Sequence, residues 1–405
     1  MRRSKLPITV GALLAWIAGL TTPALALEPP VAPEATVPSA PPEPSRFEAG
    51  FERGFFIRSA GAREELRIRA RLQLRYTWLN AATPTGRKPE SAFAVQRGRL
   101  QLLGYLLADR LRYLLHIGFD RGDVALRDMY VDGIADRRWL HVRFGQMKLP
   151  WSRQRLASSA AQQFVDRAIT DRAFGAGRDI GVLLHNGLAP AVPLEWAFGV
   201  FNGTGDTSNL TGTVTVDPAT GEGAISGGGF SNVPKRMKPL IAARLGYNRA
   251  GADAYTEPDL RGGPVRGAAA ISAILEPAAS GAPPRVRAEV DGILKWNHLS
   301  VSAALYLSAE GDRDALASVE TKQLGFHAQA GQVLGRRKRG ELAARYARVN
   351  VLEGGWQDES SLAGTLFISG HTLQCTTDLS LLRKRSAAGE QTQDPRVRVQ
   401  LQMDF

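Results

Sequence analysis

LRIRARLQLRYTWL, residues 66–79, alternates apolar and polar side chains without a break. The even positions from Leu66 to Trp78 are all apolar, whereas the odd positions carry four arginines, a glutamine and a threonine. Period-two alternation is typical of a β-strand with two chemically different faces. In a soluble sheet the apolar face would cover a core. In a transmembrane barrel it would contact lipid, and the arginine face would line a water-filled lumen.

The C-terminal ten residues, RVRVQLQMDF, repeat this pattern and favour the barrel. Five apolar residues alternate with polar ones, and the chain ends on Phe405. Outer-membrane barrels present such a strand to their assembly machinery. We therefore predict that machinery as a partner, with outer-membrane lipid around the finished barrel.

The N-terminus predicts export. A basic start (Arg2, Arg3, Lys5), a short apolar run and an Ala-Leu-Ala ending at Ala26 are typical of a secretory signal peptide, which we place at residues 1–26. Residues 27–46 are rich in proline and alanine and predict a periplasmic tether without a fold of its own. Residues 47–405 are assigned to the barrel. The predicted location is the outer membrane of a Gram-negative bacterium.

Composition narrows the class of protein further. After the signal peptide no apolar run reaches the ~20 residues of a spanning helix, so a membrane-spanning mature chain must be a closed barrel. The one cysteine, Cys375, allows neither an internal disulfide nor a cysteine-based metal site. The net charge of +12 is compatible with nucleic-acid binding, but the export signal and the lack of a recognition motif oppose that function.

Strand-like segments recur along the whole mature chain, and we count sixteen. The prediction is an all-β, 16-stranded antiparallel transmembrane barrel, wide enough for an aqueous channel. Three connections are expected to be loops. Residues Asn80–Glu90 are turn-rich, Leu149–Gly177 show no strand alternation, and Gly203–Val233 are rich in Gly, Thr and Ser.

Residues 144–205 resemble the phosphate-selective porin family, porins O and P. The resemblance rests on four motifs: FGQMKLPWSRQRLASS from Phe144, FVDRAITDRAF from Phe164, GAGRDIGVLLHNG from Gly175 and WAFGVFNGTG from Trp196. LRDMYVDG upstream and SGHTLQ at 369–374 fit as well. The resemblance extends from about Ala49 to Phe405.

The resemblance implies a homotrimer of 16-stranded porin barrels whose third long loop folds into the lumen and builds a basic constriction. Leu149–Gly177 is the matching loop, and an arginine ladder would lead anions towards it. The anion-binding residues assigned on this basis are Arg67, Arg69, Arg71, Arg75, Arg97, Arg99, Lys148, Arg153, Arg155, Arg172 and Arg178.

Arginine suits oxyanions because its planar guanidinium group meets two phosphate oxygens at once and stays charged. Successive sites of moderate strength would let an ion enter and also leave. Four acids lie among the basic residues of this region: Asp128, Asp132, Asp166 and Asp171. If they pair with the arginines they lower the local potential, which leaves a general anion or small-solute porin as the alternative to phosphate selectivity.

Two further functions stay open. An outer-membrane hydrolase would need a nucleophile motif, and none of the six histidines lies in one. A structural barrel plugged by its own loops would not conduct. The prediction remains an anion porin with phosphate as leading substrate, and it includes no catalytic residue, cofactor, metal or nucleic-acid partner.

Overall fold

The structure is a computed structural model. It describes residues 47–405 except 189–191, 206–208, 217–222, 232, 235, 250, 278–282, 312–318, 336 and 352–353. The predicted signal peptide (1–26) and tether (27–46) lie outside the described residues, so both remain predictions. No helix among the described residues is long and apolar enough to cross a membrane.

Strands make up most of the described chain, with two short helices between the seventh and eighth strands. Their bounds are β1 Phe47–Phe51, β2 Phe55–Ser59, β3 Glu65–Thr83, β4 Gly86–Leu106, β5 Leu111–Asp120, β6 Asp123–Asp136, β7 Leu140–Lys148, α1 Arg153–Leu156, α2 Ile169–Phe174, β8 Arg178–His185, β9 Leu194–Phe201, β10 Asn209–Val216, β11 Gly223–Ser231, β12 Leu240–Arg249, β13 Arg266–Glu276, β14 Arg285–Trp296, β15 Leu299–Gly311, β16 Val319–Leu334, β17 Gly340–Val351, β18 Gly355–Ser369, β19 Leu373–Arg385 and β20 Gln391–Asp404.

Sixteen of these strands close into one antiparallel barrel. Strands β3 to β9 pair in chain order, β9 pairs with β12, and β12 to β20 continue the order. The last strand then pairs with the first, Gln400 opposite Arg75, so the sheet has no free edge between them. The predicted 16-stranded antiparallel barrel is confirmed.

The alternation of the first strand separates the two faces of the wall. Leu66, Ile68 and Leu74 are more than a third exposed, whereas Gln73 and Arg75 are buried. The last strand behaves alike, with Arg398 buried and Val399 exposed. Apolar side chains therefore cover the outside of the barrel, and the arginine face points into the lumen.

Three local predictions need correction. Asn80–Glu90 is not a loop: β3 runs to Thr83 and pairs with β4 from Gly86, because the ladder continues past the segment where the side-chain alternation stops. Gly203–Val233 contains the hairpin β10–β11. A further hairpin, β1–β2, was not predicted and pairs with the start of β3.

Residues 149–177, here called the inner segment, lie inside the barrel. Gln73 on β3 donates a hydrogen bond to the Ser159 carbonyl at 3.1 Å, while Arg153 forms an ion pair at 2.8 Å with Asp291 on β14. Only a segment within the lumen can contact strands on opposite sides of the barrel. The segment carries both helices and buries Trp151 and Phe174 almost completely.

A second insertion, residues 251–265 between β12 and β13, meets the inner segment from the other end of the barrel. The Glu257 N–H donates to the Ala161 carbonyl at 2.8 Å, and the Gln163 N–H donates to the Glu257 carboxylate at 2.9 Å. This segment was not predicted from the sequence, because its side chains show no period.

Candidate functional site: a cationic cavity beside the inner segment

Carboxylates of the later strands hold one side of the inner segment against the barrel wall. Three of its main-chain N–H groups donate to lumen-facing acids: Arg153 to Asp291 on β14 at 3.1 Å, Ile169 to Glu359 on β18 at 3.1 Å, and Val165 to Asp378 on β19 at 3.2 Å. These acids are almost fully buried. Charged acceptors satisfy N–H groups that an irregular segment would otherwise leave unpaired in a dry interior.

Glycines on β16 make room for side chains of the same segment. A Cβ atom at Gly325 would lie 2.3 Å from the Phe174 ring, and one at Gly331 would lie 2.1 Å from the Gln163 amide nitrogen. Phe174 also stacks on Tyr306 of β15, with ring centroids 5.2 Å apart. The inner segment therefore packs tightly against β14–β19 and closes that side of the lumen.

The opposite side of the inner segment faces a cavity of about 1090 Å³. The described residues contribute ten cationic side chains to its lining but only three acidic side chains, namely Asp128, Asp253 and Asp404. The cationic residues are Arg53, Arg69, Arg71, Arg97, Arg99, Arg143, Lys148, Arg155, Arg167 and Arg178. This excess gives the cavity a positive potential, which attracts anions.

Two arginines of the cavity stand directly opposite each other on neighbouring strands. Arg71 on β3 and Arg99 on β4 are cross-strand partners, an arrangement that repulsion disfavours. Each binds a carboxylate: Arg71 binds Asp404 at 2.7 Å, and Arg99 binds Asp120, which also binds Arg127 at 2.6 Å. The Arg71 Nε is buried and has no partner in the part of the chain that the structure describes, so the guanidinium group retains a donor.

Arg69 differs from its neighbours because it has no hydrogen-bond or ion-pair partner among the described residues. Its Nε is buried and unpaired, and the side chain lines the cavity. Its cross-strand partner is Gln101, a neutral residue. Arg69 is therefore a guanidinium group whose charge no carboxylate of the described chain neutralises by contact.

Asp166 of the inner segment joins three arginines of the wall. Its carboxylate oxygens lie 2.8 Å from Arg75, 2.9 Å from Arg97 and 2.9 Å from Arg398. Burial alone would raise the pKa of Asp166, but the charges of these three arginines lower it below its ordinary value. The carboxylate stays ionised and leaves a local surplus of positive charge.

Lys148 and Arg178, at the two ends of the inner segment, are bound differently. The Lys148 ammonium group donates to the carbonyls of Arg155, Leu156 and Ala157 at 2.9–3.4 Å, so its donors hold the C-terminal end of α1. Arg178 forms a forked pair with Asp128 at 2.9 and 3.0 Å. Both line the cavity, and both also fasten the segment.

The acids expected near the basic cluster do pair with arginines. Asp171 binds Arg155 at 3.0 Å, and Asp132 binds Arg143 at 2.6 Å. Pairing lowers the local potential at these points. The charge excess of the cavity persists because several acids are shared, Asp166 among three arginines and Asp171 between Arg155 and Arg167.

Four residues assigned to the anion path from sequence do not line the cavity. Arg153 is buried in its pair with Asp291, and Arg75 is buried beside Asp166. Arg67 pairs with Glu65 at 3.0 Å, on the part of β3 that precedes its pairing with β20. Arg172 is exposed on α2. The alternation and the loop position correctly suggested the interior but could not identify their partners.

Three cavity arginines were absent from the sequence-based set. Arg143 alternates with Val142 and Phe144 on β7, so its pattern could have identified it. Arg167 lies in the inner segment, where no periodicity distinguishes the two sides. Arg53 comes from the turn between β1 and β2, a segment with no lumen signal in its sequence.

One group of side chains has the composition of a metal site. Asp132, His141 and His185 bring ligand atoms within 4.8 Å of one another. However, His185 Nδ1 accepts the Gly187 N–H at 3.1 Å, so its Nε2 carries the proton and donates to Asp132 at 3.1 Å. Asp132 also pairs with Arg143. The arrangement fits a hydrogen-bonded cluster better than a metal centre.

The family of this chain follows from its similarity to known proteins. The family model described as phosphate-selective porin O and P matches residues 66–329, which is more than half of the chain. No curated protein sequence matches this chain.

Solved structures share the barrel at low identity. An anion-selective porin from Comamonas acidovorans is 14% identical with a TM-score of 0.57, covering 84% of this chain and 100% of that one. The outer membrane channel DcaP of Acinetobacter baumannii is 10% identical with a TM-score of 0.57, covering 85% and 99%. OmpT of Vibrio cholerae in its trimer form is 9% identical with a TM-score of 0.52, covering 84% and 99%. Identities this low show the fold alone.

Proposed function

We propose that this chain, which belongs to the family of phosphate-selective porins O and P, conducts small anions across the outer membrane by passive diffusion, with phosphate and related oxyanions as its leading substrates. The family and the closed barrel make it an outer-membrane porin. The choice of ion is our proposal.

The observation that supports this proposal is the charge of the cavity. Ten cationic and three acidic side chains line it, and Arg69 has no hydrogen-bond or ion-pair partner among the residues that the structure describes. An anion entering the cavity meets guanidinium groups on β3 and β4, Arg69, Arg71, Arg97 and Arg99, and then the basic side of the inner segment. We therefore keep these four arginines, with Lys148, Arg155 and Arg178, as the proposed anion path.

The arrangement suits transit better than storage. Most cavity arginines already share a carboxylate, so each can offer only part of its donors to a passing oxyanion. Several sites of moderate strength allow release, whereas one site that satisfied every oxygen would retain the ion. No step of this function requires catalysis or a cofactor.

A general anion porin without phosphate selectivity is the second candidate, and a specific observation favours it. The pairs Arg99–Asp120, Arg178–Asp128 and Arg155–Asp171 occupy donors that a selective phosphate site would use. Chloride needs only the positive potential, whereas phosphate selectivity needs free, geometrically fixed donors.

We also propose a homotrimer, outer-membrane lipid as the surrounding medium, and assembly through the C-terminal strand β20. Support comes from the family resemblance, from the trimer form of the Vibrio cholerae protein, and from the alternation of β20 that ends on Phe405. The signal peptide and tether belong to the same proposal.

Planar-bilayer recording tests the proposed function. In a potassium chloride gradient the reversal potential should have the sign of chloride permeation, and added inorganic phosphate should reduce the chloride current. Anion preference without a phosphate effect would favour the general anion porin. Cation preference, or a folded barrel that does not conduct, would overturn the proposal.

A further inference from the structure

The outer face of the barrel carries a groove across its last strands. Two rows of outward-facing cross-strand partners line it. The lower row runs Val301, Ala330, Ala344, Leu362, Leu379 and Val397, and the upper row includes Ala328, Tyr346, Ser360, Leu381 and Pro395. We call these residues the outer groove.

The groove exists because small residues stand where a lipid-facing wall usually carries large ones. Ala328, Ala330 and Ala344 form its floor between the larger Leu362 and Val301. The groove is mostly apolar, is open towards the membrane and has a volume of about 740 Å³. That size lies within the range of about 300–1,000 Å³ typical of small-ligand sites.

Charged side chains begin one step above the groove. The next outward row contains Arg348, Asp358 and Arg383 as successive cross-strand partners, and the row above it contains Trp356 opposite Arg385. Two residues along a strand are ~7 Å, so these side chains lie directly at the end of the groove. We call these five residues the rim cluster.

The rim cluster has cationic donors to spare. Arg383 pairs with the buried Asp358 at 2.8 Å, whereas the one hydrogen bond of Arg348 within the described residues runs from its Nε to Asn350, at 2.9 Å. The Arg348 guanidinium lies 4.7 Å from the centre of the Trp356 ring. Arg385 is exposed and has no hydrogen-bond or ion-pair partner among the described residues. The rim cluster thus holds three guanidinium groups and one carboxylate, which binds Arg383.

Aromatic side chains fix the height of the cluster in the membrane. Phe326 and Tyr346 pack together on the outer face with ring centroids 5.7 Å apart, and Trp356 lies above them. Such aromatic girdles mark the boundary between hydrocarbon and headgroups. The end concerned is the one opposite the chain's C-terminus, where the longer connections lie, which is the extracellular side in bacterial barrels.

We propose that the outer groove and the rim cluster bind a phosphorylated glycolipid of the outer leaflet, with an acyl chain in the groove and a phosphate at Arg348 and Arg385. Charge complementarity supports this occupant, because phosphate accepts from guanidinium donors at the height of the headgroups while the apolar floor takes the chain. The site lies on the outside of the wall and does not depend on what the lumen conducts.

Native mass spectrometry of the purified protein, titrated with bisphosphorylated lipid A, tests this site. The double variant Arg348→Gln/Arg385→Gln leaves the Arg383–Asp358 pair intact and should bind at least about tenfold more weakly, since it loses charge-assisted hydrogen bonds. Arg249→Gln is the matched control. Arg249 is exposed and faces outwards, but it lies on β12 at the end of the barrel opposite the rim cluster. It should bind as the unchanged protein does.

Two further arms separate headgroup from groove. Dephosphorylated lipid A should bind the unchanged protein as weakly as bisphosphorylated lipid A binds the double variant. Ala344→Phe fills the groove and should weaken binding while the oligomeric state stays the same. Equal binding by the double variant and the unchanged protein overturns the proposal. So does an Ala344→Phe variant that loses its oligomeric state and keeps its lipid, because the groove would then be a contact between copies.

Discussion

The two sides of the inner segment show how one charged lumen can serve two purposes. Against β14–β19 the segment meets buried carboxylates, each of which binds its main-chain N–H groups or its arginine. Against β3–β8 it faces a cavity in which cations outnumber carboxylates. The same residue types stabilise the fold on one side and remain accessible on the other.

The difference lies in water and in pairing. On the packed side, Arg153 and Asp291 are both buried, and removing either would leave an uncompensated charge in a dry interior. On the cavity side, water can solvate an arginine that loses its acid. Strand alternation alone therefore cannot show which lumen arginines take part in conduction. That depends on which carboxylate each arginine binds and on whether water reaches the pair.

The largest effect is expected from a variant on the packed side, where the inner segment lies against β14–β19. Asp291→Asn removes the charge that Arg153 and Arg244 share, at 2.8 and 2.7 Å. The free energy of unfolding should fall by about 3–5 kcal/mol, the usual cost of breaking a buried pair. Urea unfolding of the reconstituted protein measures it.

Asp404→Asn is the matched change on the cavity side, because Asp404 binds Arg71 at 2.7 Å in the same kind of pair. Its cost should be smaller than that of Asp291→Asn, because the Arg71–Asp404 pair borders the cavity and is 12% and 13% exposed, against 7% and 2% for the Arg153–Asp291 pair. Equal losses for the two variants would show that the two sides do not differ in hydration.

A smaller effect concerns the carboxylate where the inner segment meets the arginine wall. Asp166→Asn removes a negative charge beside Arg97 and should raise the anion-to-cation permeability ratio, by roughly tenfold if the effective dielectric lies between those of protein and water. Reversal potentials in a salt gradient measure the ratio. Glu90→Gln, an exposed acid on the β3–β4 hairpin, is the control and should change it little.

The pH dependence of this carboxylate has a definite sign. The arginine charges lower the pKa of Asp166 in the folded protein, so its contribution to stability is complete above the ordinary carboxyl pKa and is lost only as the pH falls through the lower, folded value. Between about pH 5 and pH 8, titration of Asp166 should therefore change neither the ion selectivity nor the packing of the inner segment against the wall. A titration of selectivity in that range that Asp166→Asn abolishes would contradict the assignment.

The barrel and its two faces could be predicted because period two in 66–79 and 396–405 reports directly which residues meet lipid. The limits of that signal are equally physical. Where strands leave the membrane, as at 80–90, both faces become polar and the alternation stops although the ladder continues. From the sequence alone, a tight turn between two such strand ends cannot be distinguished from a long loop.

The site was harder to predict because its chemistry depends on long-range partners. Arg153 and Arg155 stand two residues apart in the inner segment, yet one pairs with Asp291 on the far wall and the other lines the cavity. Nothing local distinguishes them. Residues 251–265 were missed for the same reason, since their position follows from contacts such as Glu257 with Ala161 and not from a pattern of their own.

The central claim, that anions pass along the β3–β8 side, is tested most directly by the reversal potential of Arg69→Gln. Arg69 lines the cavity without a carboxylate partner, so neutralising it should lower anion preference by roughly fivefold, the effect of about 1 kcal/mol for one charge at ~4 Å in water. Arg249→Gln removes an exposed arginine on the outer face of β12 and should leave the potential unchanged. An unchanged potential in Arg69→Gln, or an equal shift in both variants, would contradict the account.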